Sequence, residues 1–389
     1  MRIGIVTGEY PPMEGGVGAF TRELSLALKD LGHEIHIVTT AIGDAQGPVQ
    51  ERGLAVHRQI PRWGRMGIQK AGRLLEQIAP DIVNLQYEIA AYGMSGWINL
   101  LPGALMRKAM APLVVTFHDL LPPYLFPKAG MLRQQTVWRL ARHADAIIAT
   151  NAEDRRMLEP KVGSRGIPVR TIPIGSNISS DVAPDYDRAS YRARYGWAHH
   201  DLVVGFFGFM NRSKGIEALL RAVALLRSRG DRVQLLFIGG RIGTSDATNA
   251  SYADEIDGMI DDLGLAPVVH RTGFASQREV SAALKSVDVC ALPYRDGANL
   301  RRGTLHAALA HGCAIITTTP RAIVPELAEG ANIVLVPPDD PGALADAICT
   351  VGADTGLRAQ LGSGAAELAA RFTWPRIAAK TAAFFETLV

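Results

Sequence analysis

The chain has 389 residues, of which 48% are hydrophobic and 20% charged, with a formal net charge of +3. That length suits about two or three domains with separate cores, and so small a charge gives no argument for a nucleic-acid partner. No apolar run reaches the roughly 18 residues of a membrane span, the start lacks a signal-peptide core, and Cys290, Cys313 and Cys349 sit in apolar runs without metal-like spacing, so a cytoplasmic protein in a reducing compartment is expected.

Residues 2–7 read as a buried parallel strand that runs into the loop Gly8-Glu-Tyr-Pro-Pro-Met-Glu-Gly-Gly-Val-Gly18. A helix over 19–31 follows, with Phe20, Leu24, Ala27, Leu28 and Leu31 on one face, and residues 34–39 form the next strand. Glycines between a strand and a helix permit close backbone approach to a phosphate, or simply a tight turn. Two prolines and misplaced glycines rule out the dinucleotide fingerprint. A helix over 67–78, strands over 81–86 and 113–117, a helix over 132–143, a strand over 145–150 and an extended 169–173 continue the alternation. That pattern means a parallel α/β sheet. Its strand ends carry Gly8, Gln86, His118, Thr150 and Gly175.

Residues 177–199 are polar without a sustained period and read as an interdomain linker. A second series starts with a strand over 202–207, the loop Gly208-Phe-Met-Asn-Arg-Ser-Lys-Gly215, a helix over 216–229, a strand over 233–238 and helices over 251–263 and 277–285. The apolar run 287–292, a glycine-bearing polar loop over 296–303, a helix over 304–311, Gly312 and the β-branched run 314–318 then form one strand–loop–helix–strand unit. Gly303 before Thr304 opens that helix, so its free amides and dipole face the loop. Arg301 and Arg302 stand beside it, which suits a phosphate-bearing ligand; an ordinary crossover with solvated arginines is the alternative. A strand over 332–336, a helix after Pro337-Pro-Asp-Asp-Pro341 and an amphipathic helix over 375–388 complete the chain.

These loops, in this order, resemble the GT-B glycosyltransferases, and more closely the retaining family 4, or group 1, type. The resemblance rests on Glu9-Tyr-Pro-Pro, Gly15-Gly-Val-Gly18, Leu31-Gly-His-Glu34, Thr116-Phe-His-Asp119, Ile172-Pro-Ile-Gly175, Phe207-Gly208, Lys214-Gly215, the 288–293 and 308–312 segments, Pro325-Glu326, 337–341 and Phe372-Thr-Trp374. It implies two doubly wound Rossmann-like domains facing across a cleft. The acceptor-side domain would cover 1–176 and the nucleotide-sugar donor domain 200–372, with 373–389 a helix packing back on the first. It further implies that Gly15 and Gly16 present amides to a donor diphosphate, that His118 lies near the reacting sugar, and that Lys214 binds phosphate. Glu326, near a helix start, would order the donor side or act as a cap.

Two departures from the family pattern stand out. Phe209 replaces an expected phosphate-binding arginine, for which Arg212 is a nearby substitute, and Asn299 and Ala307 occupy the places of paired glutamates. Asn299 and Thr304 are then the candidates to meet sugar hydroxyls, and Arg301, Arg302 and Gly303 to meet the diphosphate. The implied reaction is retaining transfer from a nucleotide-diphosphate sugar to a glycan, lipid or small-molecule acceptor, without cofactor or metal. The competing readings are an inactive glycosyltransferase-like binding protein and a GT-B sugar-nucleotide epimerase. Basic residues at Arg62, Arg65, 70–73, Arg133, Arg139 and Arg142, with Trp138 and the apolar 120–126 loop, also suggest peripheral docking at the inner face of a membrane.

Overall fold

Short β-branched and aliphatic runs alternate with amphipathic helices along the chain, and the central runs become strands buried on both faces, such as Ile82–Tyr87, Leu113–Phe117 and Val289–Leu292. The computed structural model describes residues 1–43, 47–106, 111–123, 130–241 and 250–389. Residues 124–126 of the apolar 120–126 loop thus lie outside the described residues, and Trp138, expected at a docking surface, is buried with Lys161 over its ring. Two units divide the chain, the first formed by Met1–Ile174 with Trp374–Val389, the second by Gly175–Thr373.

The first unit runs β1 (Arg2–Val6), α1 (Gly16–Asp30), β2 (Glu34–Thr40), β3 (Val49–Glu51), β4 (Leu54–Ile60), α2 (Arg65–Ile78), β5 (Ile82–Tyr87), α3 (Leu101–Met106), β6 (Leu113–Phe117), α4 (Met131–Arg142), β7 (Ala146–Ala149), α5 (Ala152–Val162) and β8 (Val169–Thr171). Its 8-stranded sheet has the order β3-β4-β2-β1-β5-β6-β7-β8, and only β3 runs antiparallel to its neighbour. β3, β4, α3 and α5 go beyond the sequence reading. β4 was hidden because it buries polar His57 and Arg58. Arg58 is held by Glu51 and the carbonyl of Pro11, and His57 by His36 at 3.1 Å.

The second unit runs α6 (Arg188–Ala193), β9 (Leu202–Phe207), α7 (Ile216–Ser228), β10 (Val233–Ile238), α8 (Ala250–Asp262), β11 (Val269–Arg271), α9 (Gln277–Ser286), β12 (Val289–Leu292), α10 (Gly303–Ala310), β13 (Ile315–Thr318), β14 (Val334–Val336), α11 (Pro341–Ala353) and α12 (Thr355–Ala369). Its 6-stranded sheet is parallel throughout, in the order β11-β10-β9-β12-β13-β14. The segment 177–199, read from sequence as a linker, is instead part of this unit. Asp187 caps α6, and Tyr191 and Trp197 are buried in the same core cluster as Leu292 and Leu305. Its apolar anchors are too sparse in a polar stretch to show a period.

The last helix, α13 (Trp374–Glu386), belongs to the first unit. Ile377, Ala378, Phe384 and Phe385 join Phe20, Leu24 and Leu28 of α1 in one core, and Trp374 meets the Phe20 ring edge-on at 5.3 Å. Burying Ile377 and the two phenylalanines is worth about 1.5–3 kcal/mol each, so α13 is a structural part of that domain.

Candidate functional site

In both sheets the strand order reverses beside the first strand of the unit: between β9 and β12 in the second, between β1 and β5 in the first. In parallel α/β sheets ligands bind outside the strands' carboxyl ends at such a switch point. The second unit gathers its cations there.

Lys214 lies on a single 3₁₀ turn after β9, capped by Asn211, whose Oδ1 accepts the Ser213 amide at 3.1 Å. Gly215 follows with φ +66°, and a Cβ there would fall 1.9 Å from the carbonyl oxygen of Pro293. Only glycine lets this loop lie against the end of β12. Lys214 Nζ then reaches Thr304 Oγ1 at 3.2 Å and the Tyr294 ring at 5.3 Å, while Tyr294 Oη shares a hydrogen with Thr304 Oγ1 at 2.6 Å. Gly208, at φ +128°, keeps the space beside Thr304 and Lys214 open.

Arg302 approaches from the start of α10. Its guanidinium lies over the Tyr294 ring at 4.9 Å, donates to Ser213 Oγ at 3.2 Å and pairs with Asp296. Its buried Nε has no hydrogen-bond partner. Arg301 reaches Asp296 at 3.6 Å. Asp296 is thus shared by Arg301 and Arg302 and also acts on Lys214. Burial, with repulsion from Arg302, pulls the Lys214 ammonium down to about 7. Desolvating a lysine among other cations is unfavourable unless an anion arrives, so the cluster is built to receive negative charge.

The other candidates in this unit fall differently. Arg212, the candidate to replace the arginine missing at Phe209, pairs with Glu255 at 2.6 Å and lies over the Tyr252 ring. Asn299 is buried, and its Oδ1 accepts the Arg301 amide at 3.2 Å, which makes it a former of the loop. Ala307 is buried in the core. Glu326 lies in a turn, and no helix begins there; its carbonyl accepts from Asn332 Nδ2 at 2.9 Å. Together with Asn332, Gln360 and Arg371 it lines a polar cavity against α12 that includes none of the Lys214 cluster. Tyr294, Ser213 and Asp296 complete the cluster and were not singled out from sequence as ligand groups. Their only signal was their place beside Pro293 and Lys214.

In the first unit the amino end of α1 is satisfied from within. Glu9 Oε1 accepts the amides of Val17 and Gly18 at 3.0 and 3.1 Å. A Cβ on Gly15 would overlap that carboxylate at 2.0 Å, whereas Gly16 has open space. Burial raises the Glu9 carboxyl above its ordinary value against the lowering pull of the two amides. Gly15 therefore admits the Glu9 carboxylate at this helix end.

His118 follows β6. Gln86 Nε2 donates to Asn84 Oδ1, and Asn84 Nδ2 donates to Thr116 Oγ1 at 2.9 Å and to the carbonyl of Val114 at 3.2 Å. That chain turns Gln86 Oε1 towards His118 Nε2 at 2.9 Å. The imidazole must carry its proton on Nε2, leaving Nδ1 as the acceptor. Burial holds its pKa down to about 3, and Phe20 packs edge-on at 4.6 Å. His118 is a neutral, oriented acceptor. Among the described residues no group of three or more His, Cys, Asp and Glu side chains is placed to hold a metal ion.

Comparison with known proteins places these loops in context. Residues 14–180 match the family model "Glycosyltransferase Family 4", and residues 201–354 match "Glycosyl transferases group 1". A D-inositol 3-phosphate glycosyltransferase of Corynebacterium kroppenstedtii is 25% identical, over 100% of this chain and 90% of its own length. A phosphatidyl-myo-inositol mannosyltransferase of Mycolicibacterium smegmatis is also 25% identical, over 100% and 94%. Among solved structures, sucrose-phosphate synthase from Thermosynechococcus elongatus has a TM-score of 0.81 at 20% identity, covering 100% of this chain and 99% of that one. Anabaena HepE, in complex with UDP and glucose, has a TM-score of 0.78 at 20% identity and full coverage of both chains.

Proposed function

The chain belongs to the GT-B glycosyltransferases of the family 4, group 1 type, and we propose that it moves a sugar from a nucleotide-diphosphate donor to a hydroxyl acceptor with retention of configuration. The observation that carries the donor reading is the buried Lys214 at the β9/β12 switch point beside Arg302, whose buried Nε has no hydrogen-bond partner. This buried, low-pKa lysine and the first amides of α10 would take up the charge that develops on a departing diphosphate, which is the main demand of this chemistry. No metal is needed in that role. Supporting it, HepE structures hold UDP and UDP-glucose.

On the acceptor side the neutral His118 would accept a hydrogen bond from a sugar hydroxyl through Nδ1. Retention follows the family resemblance. The relatives' names put inositol phosphates and phosphatidylinositol first among acceptors to try. The test is a thermal-shift panel of nucleotide sugars followed by turnover of each stabilising donor with and without inositol phosphates. Stabilisation by one donor with release of its nucleoside diphosphate supports transfer. Stabilisation without turnover of any donor, acceptor present or not, assigns the chain to the binding proteins. No stabilisation by any donor overturns the proposal.

A further inference from the structure

We infer that Asn84 and Gln86 are positioning residues for sugar transfer: a buried relay of two amides, polarised by one backbone carbonyl, presents His118 to its ligand as a hydrogen-bond acceptor only. The inference rests on the reading of His118 as the group that meets a sugar hydroxyl.

The relay is built on two neighbouring strands. β5 and β6 run parallel, with Asn84 opposite Val114 and Gln86 opposite Thr116. Side chains two apart on a strand share a face. Asn84 and Gln86 therefore stand on the same face as Ile82, which belongs with Val114 to the apolar core that α1 and α13 cover. Both amides and Thr116 are buried there. Polar groups in such a place cost stability unless each is paired, and these are paired in one direction. The line ends at the carboxyl ends of the strands, beside the β1/β5 switch point.

Its direction is set at the first member. The carbonyl of Val114 can only accept, so the Asn84 atom facing it is the amide nitrogen. Asn84 therefore turns its oxygen to Gln86. Gln86 must answer with its nitrogen, and its oxygen is left for the imidazole. Reversing either amide would set oxygen against oxygen in a buried site, which is costly. The backbones are held as well: Tyr92 Oη donates to the Gln86 carbonyl at 2.8 Å, and the His118 amide to the Tyr87 carbonyl at 2.9 Å.

The far end of the imidazole is where this polarity is used. Nδ1 has no hydrogen-bond partner among the described residues, and the side chain is only partly covered. A lone pair there receives an O–H and repels the oxygens of a phosphate or carboxylate. The relay thus selects a neutral hydroxyl at this place and excludes an anion. A histidine free to change tautomer would lose that selection.

The experiment is nitrogen-15 NMR of the imidazole rings in the whole ligand-free protein at neutral pH, with His118→Gln used to assign the signal. Turnover of the donor selected by the thermal-shift panel is measured alongside. The wild type should show a neutral ring protonated on Nε2. Gln86→Met, similar in size but without an oxygen for the ring, should give a mixture of tautomers. Asn84→Leu should do the same while leaving Gln86 in place. Gln86→Glu keeps an oxygen against Nε2 and should keep the proton there. In the two variants that lose the tautomer, kcat/KM for the donor should fall about tenfold with affinity for bare UDP unchanged. A merely structural role would lower the unfolding temperature and leave the tautomer pure. A wild-type ring protonated on Nδ1 or present as a mixture overturns the inference, as does a changed tautomer with unchanged turnover. The wild-type spectrum tests the relay whether or not the buried variants fold. The ring spectra need no donor, so the relay and sugar transfer fail separately.

Discussion

Lys214 makes the donor reading quantitative. Its ammonium sits at about 7 because burial removes its water and Arg302 repels it, with Asp296 offsetting part of the cost. A bound diphosphate would supply the missing counter-charge and return the lysine towards its ordinary value near 10.4. Binding then takes up a proton at any pH above 7, and affinity follows the protonated fraction of the free protein. That fraction is about one half at pH 7 and about one in a hundred at pH 9, so affinity for UDP should fall about fiftyfold, or roughly 2.3 kcal/mol. Calorimetry at pH 8 in buffers of different ionisation heat should record about 0.9 proton taken up per UDP. Lys214→Arg keeps the charge but cannot titrate in this range, so its profile should be flat. The sign for stability runs the other way from that of a lysine gaining a partner. The folded pKa lies below the unfolded one, so the ligand-free protein carries the penalty below pH 7 and gains stability as pH rises from 7 towards 10. A flat wild-type profile, or a slope that survives in Lys214→Arg, would refute this account.

Three further outcomes follow from the same geometry. Gly215→Ala forces a side chain into the carbonyl of Pro293 at positive φ and should cost about 3 kcal/mol or more in urea unfolding. Arg302→Ala should weaken UDP binding ten- to a hundredfold by calorimetry, as loss of a charge-assisted contact, whereas Arg301→Ala, whose guanidinium reaches Asp296 only at 3.6 Å, should cost under about fivefold. Glu9 is raised when folded, so its contribution to stability is fully present below its unfolded pKa and lost as pH rises through the folded value; Glu9→Gln should flatten the part of the unfolding profile that lies just above the ordinary carboxylate range.

The parallel architecture was legible because buried strands announce themselves as short apolar runs. The elements that escaped were those in which polar partners replace apolar contacts. His57 and Arg58 make β4 look like a loop, and Tyr191 and Trp197 anchor a stretch that composition alone assigns to a linker. Lys214, Thr304, Arg302 and Gly303 were readable as a group because glycines and basic residues punctuate the ends of strands. Which anion each loop holds was not. That depends on rotamers, such as Arg212 turning to Glu255, Arg302 to Asp296 and Glu9 folding back on α1, and rotamers leave no mark on spacing.

The placement of α13 also fixes an order of events. The first unit begins the chain yet needs Trp374–Val389 to cover α1, while the second is a single uninterrupted span. On a ribosome the second unit has its whole sequence before the first does. Until the final helix emerges, Phe20, Leu24 and Leu28 have no cover from it, and the first domain waits, half-dressed, for residues made some two hundred positions later. A stop codon ahead of residue 374 would therefore injure the domain farthest from it in the sequence, and leave the adjacent one whole.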